Sequence, residues 1–125
     1  MARVLLAEDN EQICEFLSKR LDRRGHEVVL AHDGEAALHS ARAGAPDAVI
    51  LDMSAPVIDG WTVAGILKRD PQTRQIPIIA LTLESDAAED EKALQAGADA
   101  FHPKPIDTTR LFEQIESLLA ARAAG

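Results

Sequence analysis

Five apolar runs of strand length, each followed by a stretch with helical periodicity, constrain this chain more than any other feature. They are Arg3–Ala7, Glu27–Ala31, Ala48–Leu51 ending at Asp52, Ile76–Thr82 and Ala98–His102. Runs of four to seven apolar residues without alternation suit strands buried on both faces. Strands alternating with helices require parallel pairing through right-handed crossovers, so the expected class is α/β, a five-stranded parallel sheet with helices on both faces.

The intervening helices carry their own punctuation. Ile13, Cys14, Leu17 and Leu21 mark one buried face of a first helix that Gly25 stops. Asp33-Gly34 opens a second, whose Ala37, Leu38 and Ala41 form a thin stripe ending at Gly44 and Pro46. Asp59-Gly60 opens a third with Val63, Ile66 and Leu67, and Asp70-Pro71 ends it. The fourth, Asp86–Ala96, has Asp86 and Glu89 in capping relation but only Leu94 as a large apolar residue, which predicts weak anchoring. Gly97 ends it. Pro103-Lys104-Pro105 breaks the chain before Asp107 caps a last helix with Leu111, Ile115, Leu118 and Leu119 on its stripe.

At 125 residues this is one domain, 1–125, large enough to bury a core without staples. A single Trp, three Phe and no Tyr within 46% hydrophobic content make that core aliphatic. A formal charge of −8 excludes direct nucleic-acid binding, which needs clustered Lys and Arg, and suits a cation or a basic partner. Cys14 alone builds neither a disulfide nor a cysteine metal site. Met1-Ala2-Arg3-Val4 runs into a strand without a signal-peptide core, and no stretch suits a membrane span, so a cytoplasmic location is expected.

Polar residues suited to chemistry all fall where strands end: Glu8 and Asp9 after the first, Asp52 at the third, Thr82 at the fourth, Lys104 after the fifth. In an open α/β sheet that edge is the ligand-binding one. With strand order 2-1-3-4-5 the first and third strands are neighbours about 4.8 Å apart, which brings Asp9 and Asp52 together. Two carboxylates about 5 Å apart repel by roughly 3 kcal/mol at an effective dielectric near 20. A hard divalent cation converts that repulsion into attraction, and Mg²⁺ needs only one or two carboxylates plus a phosphate. Asp52 then suits the role of nucleophile toward a phosphoryl group, with Lys104 neutralising its oxygens and Thr82 donating a hydrogen bond. Singly, each residue has an ordinary structural role as cap, strand end or solvated lysine. Their joint placement on one edge favours the site.

The acid pair Glu8-Asp9, Asp52 followed by Pro56 and Asp59-Gly60, Ala31-x-Asp33-Gly34-x-Ala36-Ala37-Leu38, Ala80-Leu81-Thr82, Ala96-Gly97-Ala98 and Lys104-Pro105 resemble the response-regulator receiver family over essentially the whole chain. The resemblance implies a flavodoxin-like fold and phosphoryl transfer to Asp52 from a sensor histidine kinase or histidine phosphotransfer protein. It implies Mg²⁺, with Mn²⁺ as a substitute, held by Asp9, Asp52 and the Ser54 backbone carbonyl, with Glu8 acting through water. It further implies a cis peptide at Lys104-Pro105. A switch is implied too, in which Thr82 and Phe101 rearrange and alter the face made by the fourth helix, fifth strand and fifth helix, where a downstream protein binds.

Three residues depart from the family pattern: Ala55, Leu83 and Glu84. Leu83 and Glu84 are expected to make phosphoryl turnover unlike that of a typical member. His26, His32, His39 and His102 form no metal spacing and read as solvated or edge residues, and Trp61 as packing at a helix start. An Asp-nucleophile phosphohydrolase is the enzymatic rival, but Ser54 replaces its second acid and little room remains for a substrate cap. A flavin module is the other rival; it needs a hydroxyl- and glycine-rich loop where Glu8-Asp9-Asn10 stands. The expectation is a free-standing, non-turnover signalling switch, with a receiver excised from a larger or hybrid regulator as the alternative.

Overall fold

All five apolar runs form strands, and every pairing is parallel: β1 (Arg3–Ala7), β2 (Glu27–Ala31), β3 (Ala48–Asp52), β4 (Ile78–Thr82) and β5 (Ala100–Pro103) lie in the order β2-β1-β3-β4-β5. The computed structural model describes residues 2–82 and 87–124, with 87–90 and 93 as backbone only. The helices are α1 (Glu11–Arg23), α2 (Gly34–Gly44), α3 (Gly60–Arg69), α4 (Ala87–Ala96) and α5 (Thr108–Ala124).

Alternate residues of each central strand feed opposite cores, which is why these runs are apolar throughout. Leu5, Val49, Leu51, Ile78 and Ala80 meet Ala37, Ala41, Val63 and Leu67 of α2 and α3. Val4, Leu6, Ile50, Ile79 and Leu81 meet Leu17 and Leu21 of α1 and Leu111, Phe112 and Ile115 of α5. Burying one such aliphatic side chain contributes about 1.5–3 kcal/mol, so the sheet centre is the rigid part of the molecule.

Several expectations need correction. β4 starts at Ile78 rather than Ile76, because Pro77 has no N–H to give the ladder and the Ile76 amide is bonded to the Thr73 carbonyl at 3.0 Å in a turn. β5 spans Ala100–Pro103 rather than Ala98–His102; Asp99 instead caps the start of β4, its carboxylate accepting from the Ile78 amide at 2.7 Å. Leu94 is 53% exposed and does not anchor α4. Among the described residues, Lys92 over the Trp61 ring at 4.6 Å and half-buried Ala96 hold that helix. Phe112 is a core residue the stripe of α5 omitted. His26 and His102 are buried rather than solvated: His26 accepts from the Ala2 amide through Nδ1 and bonds the Glu116 carboxylate at 2.8 Å, while His102 faces α5. The Asp86–Glu89 cap and the Leu83 and Glu84 expectation lie outside the described residues.

Candidate functional site

The site edge begins where β1 runs out of apolar residues. Glu8 ends the strand almost fully buried, its amide bonded to the Ala31 carbonyl at 3.1 Å, and Asp9 follows exposed. Asn10 then caps α1, accepting from the Ile13 amide at 3.1 Å, so the acid pair sits in a short, fixed connection. Cys14 locks that connection from below by donating its thiol to the Glu8 carbonyl at 3.1 Å. Burial, then the nearby acids Glu8, Asp9 and Glu11, push the Cys14 thiol up, which keeps it protonated.

Asp52 is the last residue of β3 and is 2% exposed. The loop after it is held against α2 and α3 by close backbone contacts. The Gly34 amide donates to the Pro56 carbonyl at 3.1 Å, and a Cβ at Gly34 would overlap the Ile58 carbonyl oxygen. The Gly60 amide donates to the Met53 carbonyl at 3.1 Å, and a Cβ there would lie 2.5 Å from Met53 Cα. The two glycines flanking the acids in sequence are therefore required by approach of the loop to its neighbours. Asp59 caps α3 through the Thr62 amide at 2.8 Å.

One carboxylate oxygen each from Glu8, Asp9 and Asp52 lie within 4.8 Å of one another. Lys104 answers them: its Nζ is 3.1 Å from both Glu8 oxygens and 3.5 Å from Asp52 Oδ2. The Lys104 amide donates to the Thr82 carbonyl at 2.8 Å, which ties the lysine to the end of β4, and the Lys104-Pro105 peptide is cis. Burial, reinforced by the Asp52 charge, raises the Glu8 carboxyl above its ordinary range against the opposing pull of Lys104. Thr82 is 1% exposed and its hydroxyl has no hydrogen-bond partner among the described residues. Three convergent carboxylate oxygens face one ammonium among the described residues, at the sheet edge where β4 ends in a buried hydroxyl, and this donor set suits a cation. All-oxygen, anionic donors fit a hard divalent cation such as Mg²⁺.

The six residues Glu8, Asp9, Asp52, Ser54, Thr82 and Lys104 are thus brought to one edge. Phe101 is not among these contacts; it is half-buried on β5 against the α2–α3 core. Two features escaped the sequence. Glu8 is in direct contact with Lys104, a pairing across 96 positions that no local pattern signals. The Ser54 hydroxyl and amide both donate to Asp52 Oδ1, at 2.9 and 3.0 Å; a serine two residues after an acid was the available signal.

Known proteins place this geometry. The profile of the response regulator receiver domain matches residues 4–116. Response regulator PleD of Caulobacter vibrioides is 38% identical over 117 residues, 94% of this chain and 26% of PleD, so the chain spans about a quarter of that relative. The polar-differentiation response regulator DivK of Brucella anthropi is 34% identical over 93% of this chain and 94% of its own. A putative response regulator from Chloroflexus aurantiacus superposes with a TM-score of 0.90 at 32% identity, covering 95% of this chain and 98% of that one. The receiver domain of a Pseudomonas aeruginosa sensor histidine kinase, with magnesium coordinated in its active-site cleft, gives 0.87 at 30% identity over 95% and 98%. No helix among the described residues is long and apolar enough to cross a membrane. With this fold, this acid edge and these relatives, the chain belongs to the response regulator receiver domains of two-component signalling.

Proposed function

We propose that residues 1–125 form a phosphoacceptor domain in which Asp52 takes a phosphoryl group from a sensor histidine kinase or histidine phosphotransfer protein. The observation that carries this reading is the convergence of the Glu8, Asp9 and Asp52 carboxylates with Lys104, whose amide is bonded to the Thr82 carbonyl at the end of β4. Glu8, Asp9 and Asp52, with the Ser54 carbonyl, would hold Mg²⁺ or Mn²⁺; the magnesium in the Pseudomonas receiver supports that assignment. The metal supplies charge neutralisation for an incoming phosphate. Asp52 Oδ2 attacks phosphorus, the Lys104 ammonium stands 3.5 Å from that oxygen to neutralise the transferred group, and the buried Thr82 hydroxyl donates to it.

The product adds roughly two negative charges to the edge, and Thr82 and Phe101 relay that change to the face of α4, β5 and α5, where a downstream protein binds. The chain is a cytoplasmic switch that promotes its own phosphorylation and dephosphorylation, not an enzyme turning over a separate substrate. Incubation with acetyl phosphate and Mg²⁺ should give one phosphoryl adduct on Asp52 by mass spectrometry, and none in Asp52→Ala or in chelator. An unmodified Asp52, or an adduct elsewhere, refutes the reading.

A further inference from the structure

Helices α1 and α5 share one face of the sheet, and a groove of about 420 Å³ runs between them with walls of opposite charge. Arg20 and Arg24 stand on the α1 wall, Glu113 and Glu116 on the α5 wall. Two of the four are engaged within the chain. The Arg24 guanidinium lies 4.8 Å from the centre of the Phe112 ring, and the Glu116 carboxylate meets His26 at 2.8 Å. Arg20 and Glu113 are exposed, and among the described residues neither makes an ion pair. Arg20 instead stands 5.1 Å from the ring centre of Phe16, which is itself 46% exposed.

A basic stripe beside an acidic one is complementary to its own copy. From this arrangement we infer that the face of α1 and α5 is an interface between two copies of this chain, in which Arg20 of each copy pairs with Glu113 of the other. The inference does not depend on whether Asp52 takes phosphate.

The charges also select the symmetry. In a parallel sheet with helical crossovers both helices run against the strands, and so they run parallel to one another. A two-fold axis lying across the helices would set α1 on the second α1, arginine against arginine, and α5 on α5, glutamate against glutamate. An axis lying along the groove sets each α1 on the other copy's α5 and preserves level along the helix. Residues that line one groove in the monomer therefore meet across that axis, and the pair forms twice in a contact that closes at two copies. Phe16, one turn before Arg20, brings exposed apolar surface to the same contact. The charge of −8 on each copy opposes approach, but at physiological salt charges beyond about 8 Å are largely screened and the local pairs decide. A contact of two helices a side is small, so the dimer is weak and depends on concentration.

The test is sedimentation equilibrium of the full chain at physiological salt, from about 5 to 500 µM, the range in which a small interface equilibrates. Wild type should show a dimer fraction that rises with concentration. Arg20→Glu and Glu113→Arg should each weaken association at least about tenfold, because each sets like charges together twice. Arg20→Gln, which removes the charge without reversing it, should weaken it less. The double variant Arg20→Glu/Glu113→Arg, with the pair restored in reverse, should associate as wild type does. Both positions are exposed, so circular dichroism and melting temperature should match wild type in every variant. A wild type that stays monomeric throughout, single reversals that associate like wild type, or a folded double variant that does not regain association overturns the inference.

Discussion

Replacing Lys104 with Gln tests the electrostatic account of the site most directly. Carboxylate pairs within 4.8 Å repel by at least about 3.5 kcal/mol each at an effective dielectric near 20, so three pairs oppose folding by about 10 kcal/mol. Lys104, at 3.1 Å from Glu8 and 3.5 Å from Asp52, gains about 5 kcal/mol from each, which nearly balances the account. Its loss does not expose the whole sum, because Glu8 has an exit by taking up a proton. Burial and the Asp52 charge already hold that carboxyl above its ordinary 4.5, so neutralising it at pH 7 costs at most about 3 kcal/mol. Protonating Glu8 leaves the Asp9–Asp52 pair at about 3.5 kcal/mol, so the expected penalty of Lys104→Gln in chelator is about 6 kcal/mol by urea unfolding at pH 7.

The sign of the pH dependence follows from the same group. A carboxyl whose folded value is raised contributes stability that is full below 4.5 and lost as pH rises through the raised value. The variant's penalty should shrink by about 1.4 kcal/mol per pH unit on acidification until the wild type's own raised Glu8 value is reached, and level off below it, where both proteins carry the protonated acid. Saturating Mg²⁺, supplying the counter-charge instead, should remove most of it at pH 7. A penalty flat from pH 7 to 5, or equal in chelator and Mg²⁺, refutes the reasoning.

Val57 sits 73% exposed with φ of +72°, a left-handed conformation costly for a β-branched residue; Val57→Asn should stabilise the protein by about 1 kcal/mol in urea unfolding. Gly34→Ala should destabilise it by about 2 kcal/mol despite better helix propensity, because the new Cβ overlaps the Ile58 carbonyl; thermal unfolding reads this. His102 is 3% exposed, its Nε2 has no hydrogen-bond partner among the described residues, and burial, then the Arg110 charge, lowers its pKa. Stability held above its ordinary 6.5 is therefore lost as pH falls through the lowered value, and the melting-temperature gap between wild type and His102→Leu should widen in the variant's favour from pH 7.5 to 5.5.

The sheet was legible because its strands are buried on both faces: an unbroken Ala48-Val49-Ile50-Leu51 has few alternatives, and the acid that follows marks the strand's end. Strand starts were less legible, since Ile76 and Ala98 are apolar like their neighbours yet lie in turns fixed by the Thr73 carbonyl and the Asp99 side chain. On α4 the one large apolar residue, Leu94, is exposed while half-buried Ala96 packs against the core, in keeping with the weak anchoring expected of that helix. The residues of the site were readable from strand ends, but their pairings were not. His26 meets Glu116 across 90 positions, and Lys104 meets Glu8 across 96, distances at which only the folded chain decides partners.

Those pairings also say where a charge placed on Asp52 would be felt. On the β1–β3 side the neighbours are aliphatic residues of zero exposure, such as Val4, Leu6, Val49 and Ile50, whose packing free energy is indifferent to a nearby dianion. On the far side, α4 has a polar contact near the site beside the packing of Ala96, Lys92 lying 4.6 Å from the centre of the Trp61 ring. Lys104, already shared between Glu8 and Asp52, would have to divide itself again when phosphate arrives, and its backbone is bonded to Thr82 on that same side. Added charge therefore competes with the Lys104 contacts to Glu8 and Asp52, and leaves the aliphatic packing of β1 and β3 untouched. Under the proposed phosphorylation of Asp52, the rearrangement is expected among the ion pairs that Lys104 makes rather than in the aliphatic packing beneath them.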